Sequence, residues 1–375
     1  MDQIKLFDPS LPNQIVRESF FKLFESIYDR GLFIGGDAVS QFEHVFANYI
    51  GTRFAVSVAS GTDAITLALK ANGIGCGDAV VTSPFTFFAS AGAIALAGAQ
   101  PVFTDIDPKN YCIDPVLLED LLHNDTTGRI KAVVYVHLFG NPGNIAAVRQ
   151  VCAKADLLLI EDCAQALGAS FQYGGREVKV GAAGKCGCFS FYPTKILGGI
   201  GDGGMITTND EAVFEKLLLL KNHGASARDR YTHEIVGCNS RLDAANAIYL
   251  LQALSHVEQF IADRRLQAQR YDGLLSHYAG VTPSANVSPV HNVYTIRLKD
   301  RNMIEQILKQ NNIQSAIYYK TPLNKMRAFS HLPDYNIKFS EADKAASEVL
   351  SLPIYPGLTA AQQNRVVETI INNIL

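Results

Sequence analysis

Lys195 ends an apolar run, Cys188-Phe189-Ser190-Phe191-Tyr192-Pro193-Thr194-Lys195, and opens onto a glycine-dense stretch from Gly198 to Gly204. Upstream, Leu157-Leu158-Leu159-Ile160-Glu161-Asp162 reads as a buried strand ending in two carboxylates. A lysine amine withdrawn from water gives up its proton more easily and becomes a nucleophile toward carbonyls and a base for proton transfer. A carboxylate at a strand end can hold a heteroaromatic ring nitrogen in its protonated form. Further upstream, Ser60-Gly61-Thr62-Asp63-Ala64 follows a strand-like run and starts a helix-like one. A helix start offers unpaired N–H groups to a phosphate. Each feature also has an ordinary explanation. Ser60 or Thr62 could simply cap the helix, Asp162 could cap whatever follows its strand, and a single loop lysine is usually a solvated charge.

In combination the three features are what a site for pyridoxal phosphate requires: a Schiff-base amine at Lys195, an acid for the ring nitrogen at Asp162, and a phosphate cradle at Gly61 and Thr62. Ser190 could add a hydroxyl to the cradle, and Gln165 could hydrogen-bond the ring hydroxyl. In Pro84-Phe85-Thr86-Phe87-Phe88, Phe87 is the candidate to stack on a flat ring, with Phe85 and Phe88 read as core. Glu161 alternates to the opposite face from Asp162 and reads as structural.

Two competing phosphate motifs fail. Gly199 to Gly204 matches G-x-G-x-x-G, but it leads into the strand-like Met205-Ile206-Thr207-Thr208 and not into a helix. Gly184-Lys185 has Lys179 where a P-loop needs glycine. Cys186 and Cys188 have no second pair at zinc spacing and read as core, so no metal is expected.

Positioning these residues requires a particular scaffold. Strands are expected at Phe54–Val58, Ala79–Thr82, Pro101–Thr104, Ala132–Val136, Leu157–Ile160, Cys186–Phe191 and Met205–Thr208. Helices are expected between them at Thr62–Ala71, Phe88–Leu96, Pro115–Leu122 and Asn144–Lys154. This alternation implies a mostly parallel sheet with helices on both faces, and ligands in such folds bind beyond the carboxyl ends of the strands. Residues 169–184 suggest a hairpin turning at Gly174-Gly175. Asp243 to Leu275 reads as a long helical stretch bridging to a second unit. That unit has strand–helix–strand character (Val293–Leu298, Met303–Gln310, Ser315–Tyr319) and closes with a helix at Ala360–Asn373.

A 375-residue chain with a formal net charge of −3 has no electrostatic case for nucleic acid or an anionic membrane. No uncharged apolar run is long enough to span a bilayer. The N-terminus lacks a signal-peptide pattern and the seven cysteines are scattered and odd in number, so cytoplasm is the expected location.

These blocks together resemble the DegT/DnrJ/EryC1/StrS family of sugar aminotransferases. The resemblance runs from Phe33-Ile34-Gly35-Gly36 through His137-Leu138-Phe139-Gly140, Glu161-Asp162-Cys163-Ala164-Gln165 and Gly201-Asp202-Gly203-Gly204. It continues through Asn222-His223-Gly224 and Asn239-Ser240-Arg241-Leu242-Asp243 to Ser351-Leu352-Pro353-Ile354-Tyr355-Pro356. It implies an α/β fold of type I: a large domain with a mostly parallel seven-stranded sheet flanked by helices, plus a smaller C-terminal α+β domain. The expected division is 1–250 for the cofactor domain and 251–375 for the small one, the bridging helix included. By resemblance Lys195 is the Schiff-base lysine, Asp162 meets the pyridine nitrogen and Phe87 stacks on the ring. Gly61, Thr62 and Ser190 hold the phosphate, joined by Asn239 from a second subunit, which implies a homodimer with shared active sites.

The family moves an amino group from L-glutamate or glutamine to a ketosugar, usually nucleotide-linked, for surface glycans such as lipopolysaccharide O-antigen or for antibiotics. Relatives with histidine in place of the lysine act as dehydrases, a branch that Lys195 argues against. Phe-Tyr-Pro-Thr-Lys and Asn-Ser-Arg-Leu-Asp look like members aminating C3 of a dTDP- or UDP-linked 3-ketosugar; members acting at C4 more often have tyrosine where Ser240 stands. The alternatives are 4-keto nucleotide sugars, sugar phosphates or cyclitols as substrates, or a cofactor-binding regulator without turnover. One block departs from the family: its usual His-Tyr-Pro-x-Pro-Leu-His is here Tyr318-Tyr319-Lys320-Thr321-Pro322-Leu323-Asn324. Tyr192, Tyr318 and Lys320 are the candidate substrate contacts, Lys320 for a carboxylate or pyrophosphate unless it is only a solvated charge.

Overall fold

Runs of β-branched and aliphatic residues with no polar alternation must be covered on both faces, and here they are. The computed structural model describes residues 2–226, 228–229, 231–276, 280–281 and 289–373. Its strands are β1 (Phe54–Val58), β2 (Ala79–Thr82), β3 (Gln100–Phe103), β4 (Ile130–Val136), β5 (Leu158–Asp162), β6 (Ser170–Tyr173), β7 (Arg176–Lys179), β8 (Cys186–Ser190), β9 (Gly204–Thr208), β10 (Gly280–Val281), β11 (Tyr294–Arg297) and β12 (Val349–Leu352). Seven of them form one sheet in the order β1-β9-β8-β5-β4-β2-β3. All its neighbours pair in parallel except at β9, which runs antiparallel to both β8 and β1. Val80, Val134, Ile160 and Ile206 pack on one face against the Gly61–Ala71, Phe88–Ala97 and Glu211–Leu220 helices. Val81, Val133, Leu159 and Met205 pack on the other against Asp37–Ile50, Ile145–Lys154 and Ala244–Leu254. Cys186 and Cys188 lie in the first of these apolar clusters, as core residues.

β6 and β7 form the expected hairpin, with Gly174 and Gly175 both in the left-handed region. The sheet holds this hairpin's return segment through Glu161. Its buried carboxylate accepts N–H groups from Gly181 (2.9 Å), Ala183 (2.8 Å) and Gly184 (2.7 Å), and lies 3.0 Å from His137 Nε2. Glu161 therefore has the structural role its alternation suggested.

The second unit is a three-stranded sheet, β10-β11-β12, covered by helices Arg301–Gln310, Ser340–Glu348 and Ala360–Ile371. Two expectations are corrected in this region. The stretch from Asp243 to Leu275 is two helices, Ala244–Leu254 and Val257–Leu275, broken at Ser255-His256. Ser315–Tyr319 is not a strand. Only Ala316 bridges to Ser351, after which Ile317 turns into the core and the chain leaves the sheet edge to carry Tyr318 and Tyr319, joined by a cis peptide, toward the strand ends of the large sheet. Two helices outside the expected pattern, Ser10–Arg30 and Asp37–Ile50, precede β1. Among the described residues no helix is long and apolar enough to cross a membrane.

Glu161→Ala would leave three backbone N–H groups and His137 without their acceptor. Loss of one partner in such a network costs roughly 3–5 kcal/mol, so equilibrium denaturation should show a loss of that order, with Glu161→Gln losing less.

Candidate active site

The carboxyl ends of β1, β2, β5 and β8 converge on one rim, and each supplies a part of the candidate site. At the end of β1, Ser60 caps the Gly61–Ala71 helix, its Oγ accepting Asp63 N–H at 3.1 Å. The ordinary capping explanation is thus true, and it leaves the N–H groups of Gly61 and Thr62 heading the helix. Gly61 abuts the end of β8: a Cβ there would lie 2.7 Å from Ser190 Cβ. Gly61, Thr62 and Ser190 therefore border a single mouth, and glycine is what lets the helix start come so close. Ser240 backs this helix, donating its hydroxyl hydrogen to Asp63 Oδ2 (2.7 Å) and accepting Ala59 N–H (3.0 Å). Asn239, one residue earlier, is exposed and forms an isolated bridge with Asn222.

Asp162 ends β5 and is buried. Its Oδ2 accepts the Ser90 hydroxyl at 2.8 Å, and Oδ1 accepts Ala164 N–H at 3.1 Å. Burial pushes its pKa up, against the opposing pull of Ser90, Ala164, Lys195 and His137. Burial likewise pushes the half-buried Lys195 amine down, with Asp162 working the other way. Asp162 has one hydroxyl and one N–H as its direct donors; a protonated ring nitrogen beside it would add a third, charged one, so the donor set fits a pyridinium.

The loop carrying Lys195 is held tightly. Lys195 N–H bonds Tyr192 O at 2.9 Å, Gly199 N–H bonds Phe191 O at 2.7 Å, and Asn246 ties down Ile200 N–H (3.1 Å) and Asp202 O (2.9 Å). The Asn246 side chain leaves no space for a Cβ at Gly199. This glycine-dense segment therefore runs into β9 and not into a dinucleotide-binding helix.

Phe87 is 57% exposed at the start of the Phe88–Ala97 helix, its ring centroid 6.2 Å from that of Tyr319. Phe85 is core, as expected. Phe88 is not: it is 42% exposed and stacks on Phe329, because the helix start turns it outward. Gln165 accepts Phe139 N–H at 2.7 Å and donates to Tyr319 OH at 3.2 Å. Tyr192 is 52% exposed beyond β8 and close enough to Tyr318 that it joins burial in pushing that phenol up. Lys320 lies apart from this group. It is exposed and directed at Glu305 Oε1, 4.0 Å away, so the structure gives it the partner of a solvated surface charge.

Ser90 and Tyr319 were missed from the sequence. The only cue to Ser90 was a hydroxyl inside the otherwise apolar Phe88-Ala89-Ser90-Ala91; nothing local marked Tyr319. His137, Glu161 and Cys163 are the one cluster among the described residues with metal-compatible spacing, but both Glu161 oxygens are already taken by backbone donors.

A fold of this topology with a lysine, an acid and a helix start on one rim is that of a fold type I pyridoxal-phosphate enzyme. Residues 14–371 match the DegT/DnrJ/EryC1/StrS aminotransferase family, to which the chain belongs. It is 38% identical over 372 residues to a pleiotropic regulatory protein of Geobacillus stearothermophilus, covering 98% of this chain and 97% of that one. It is 37% identical over 350 residues to a UDP-2-acetamido-2-deoxy-3-oxo-D-glucuronate aminotransferase of Pseudomonas aeruginosa, covering 93% and 94%. The crystal structure of S. venezuelae DesV in complex with a ketimine intermediate superposes with a TM-score of 0.93 at 33% identity, covering 99% and 98%.

A depressed lysine pKa means the free amine is present at lower pH than in solution. Capture of added pyridoxal phosphate by the cofactor-free protein, followed by absorbance, should rise with pH to a midpoint below the ordinary lysine value of 10.5. Because the Asp162 charge raises the Lys195 pKa, Asp162→Asn should lower that midpoint further.

Proposed function

We propose that this chain transfers an amino group from L-glutamate to C3 of a 3-ketosugar linked to UDP or dTDP. It does so as a cytoplasmic homodimer, with residues up to about 250 forming the cofactor unit. The amino sugar is then destined for a surface glycan such as an O-antigen, or for an antibiotic. The observation that carries the reading is the meeting of Lys195 and Asp162 at the strand ends, each shifted toward neutrality by burial. The substrate class is supported by the Pseudomonas relative, whose name specifies a 3-oxo nucleotide sugar. It is also supported by Ser240, fully buried against Asp63 and Ala59, where a tyrosine would displace both contacts.

In this reading Gly61, Thr62 and Ser190 bind the phosphate, and Asn239, exposed on its own subunit, completes the neighbour's cradle. Phe87 covers one face of the ring, Asp162 keeps its nitrogen protonated, and Gln165 faces its hydroxyl. When bound, the cofactor supplies the electron sink and carries the amino group between donor and acceptor. Lys195 holds the cofactor and, once released, shuttles a proton at Nζ. Tyr192 and Tyr318 border the sugar's entry. Lys320 keeps its place at the outer edge, where a substrate carboxylate or pyrophosphate would have to displace Glu305. A regulatory reading rests on relatives' names alone, that of the Geobacillus protein among them.

Incubation with L-glutamate and a panel of 3-keto and 4-keto nucleotide sugars should release 2-oxoglutarate and a product of the 3-amino mass. Turnover confined to 4-keto sugars, sugar phosphates or cyclitols would overturn the substrate. No turnover with any acceptor would favour the regulator. Shared sites have their own test: Lys195→Ala and Asn239→Ala should each be inactive alone. Mixing and re-forming the dimers should restore about a quarter of the unaltered activity, through one intact site in half of them.

A further inference from the structure

Gln165 has an amide whose direction is set by chemistry. Phe139 N–H can only donate, and it lies 2.7 Å from Oε1, so Nε2 must be the opposite end. Phe139 holds φ at 60°, a left-handed conformation uncommon outside glycine, which its packing and this bond sustain. Nε2 has two hydrogens and gives one to Tyr319 OH at 3.2 Å. Tyr319 comes from the C-terminal unit. Its ring is wedged beside Phe85 (centroids 6.3 Å apart), Phe87 (6.2 Å) and Tyr318 (5.5 Å), so its hydroxyl has little freedom to follow a moving amide. Burial pushes the Tyr319 phenol well up, with Tyr318 and Asp162 adding to it and Gln165 opposing, so the hydroxyl stays neutral.

We propose that Tyr319 is a positioning residue that locks the Gln165 amide with its second Nε2–H facing the ring hydroxyl of pyridoxal phosphate. This rests on the cofactor placement proposed above. Phe139 and Tyr319 hold the two ends of the amide and leave one donor unspent, beside a tyrosine that neighbours Phe87 and feels the Asp162 charge. That donor draws charge from the ring oxygen and weakens the oxygen's hold on the proton of the lysine-linked nitrogen. Losing it moves the pH midpoint of the bound cofactor's absorbance change upward.

The test is absorbance of the purified holoenzyme against pH. Gln165→Ala should raise the midpoint by roughly half a unit to one unit, the size of one neutral hydrogen bond. Tyr319→Phe should raise it in the same direction by less, and the double variant should equal Gln165→Ala alone. Gln165→Glu, which keeps the acceptor for Phe139 but has no donor, should also shift upward. If Tyr319→Phe fails to fold, Tyr319→Leu replaces it. An unmoved midpoint in the Tyr319 variant, additive shifts in the double variant, or no shift in Gln165→Ala would each overturn the proposal. Absence of a cofactor band in the unaltered protein would instead sink the cofactor placement itself.

Discussion

A carboxylate buried at the end of a strand, where burial outweighs the pull of its neighbours, governs the large unit. Asp162 is held by one hydroxyl and one backbone N–H, fewer donors than a buried carboxylate would ordinarily need. Ser90 fixes its direction through the bond to Oδ2. A planar cation offered at that point would relieve the shortfall. Lys195 is complementary in this respect, being a cation that burial discourages. The two residues maintain a polarity that a protonated ring and its linkage to lysine would satisfy together.

The contrast with Glu161 shows how the same chemical group can be given opposite roles by one step along a strand. Side chains alternate across the sheet, so Glu161 faces the hairpin's return segment, while Asp162 faces the rim. Glu161 receives a full set of donors and fastens structure. Asp162 does not, and it remains available. Adjacent carboxylates therefore divide into anchor and site by their position on the pleat.

What could be read from the sequence follows from how local each feature is. The seven strands of the large sheet were legible because apolar runs such as Val80-Val81 and Val133-Val134 can only be covered on both faces. Lys195 and Asp162 were legible because each terminates such a run. Ser90 was not, since its contact with Asp162 joins residues far apart in the chain and depends on how the Phe88–Ala97 helix is set against β5. Tyr319 was misplaced for a related reason. The strand-like Ser315–Tyr319 has the right composition for pairing, but only Ala316 pairs, and the next residues are drawn toward the large unit by contacts with Phe85, Phe87 and Gln165. The helical stretch after Asp243 was legible in type but not in its break at Ser255-His256.

The one reversed strand in the sheet has a mechanical consequence. Because β9 runs back against β8, the segment from Ser190 to Gly204 leaves and re-enters the sheet at the same end, and Phe191 N–H bonds Gly203 O at 2.8 Å where the two meet. A parallel crossover would have carried the chain through a helix to the opposite end of the strands. Here the loop is a short closed span, pinned at its root and again at Asn246, so its closure cost is met in folding and not at each binding event. The lysine backbone is a fixed pivot, and what travels is a four-carbon stem with an amine at its tip.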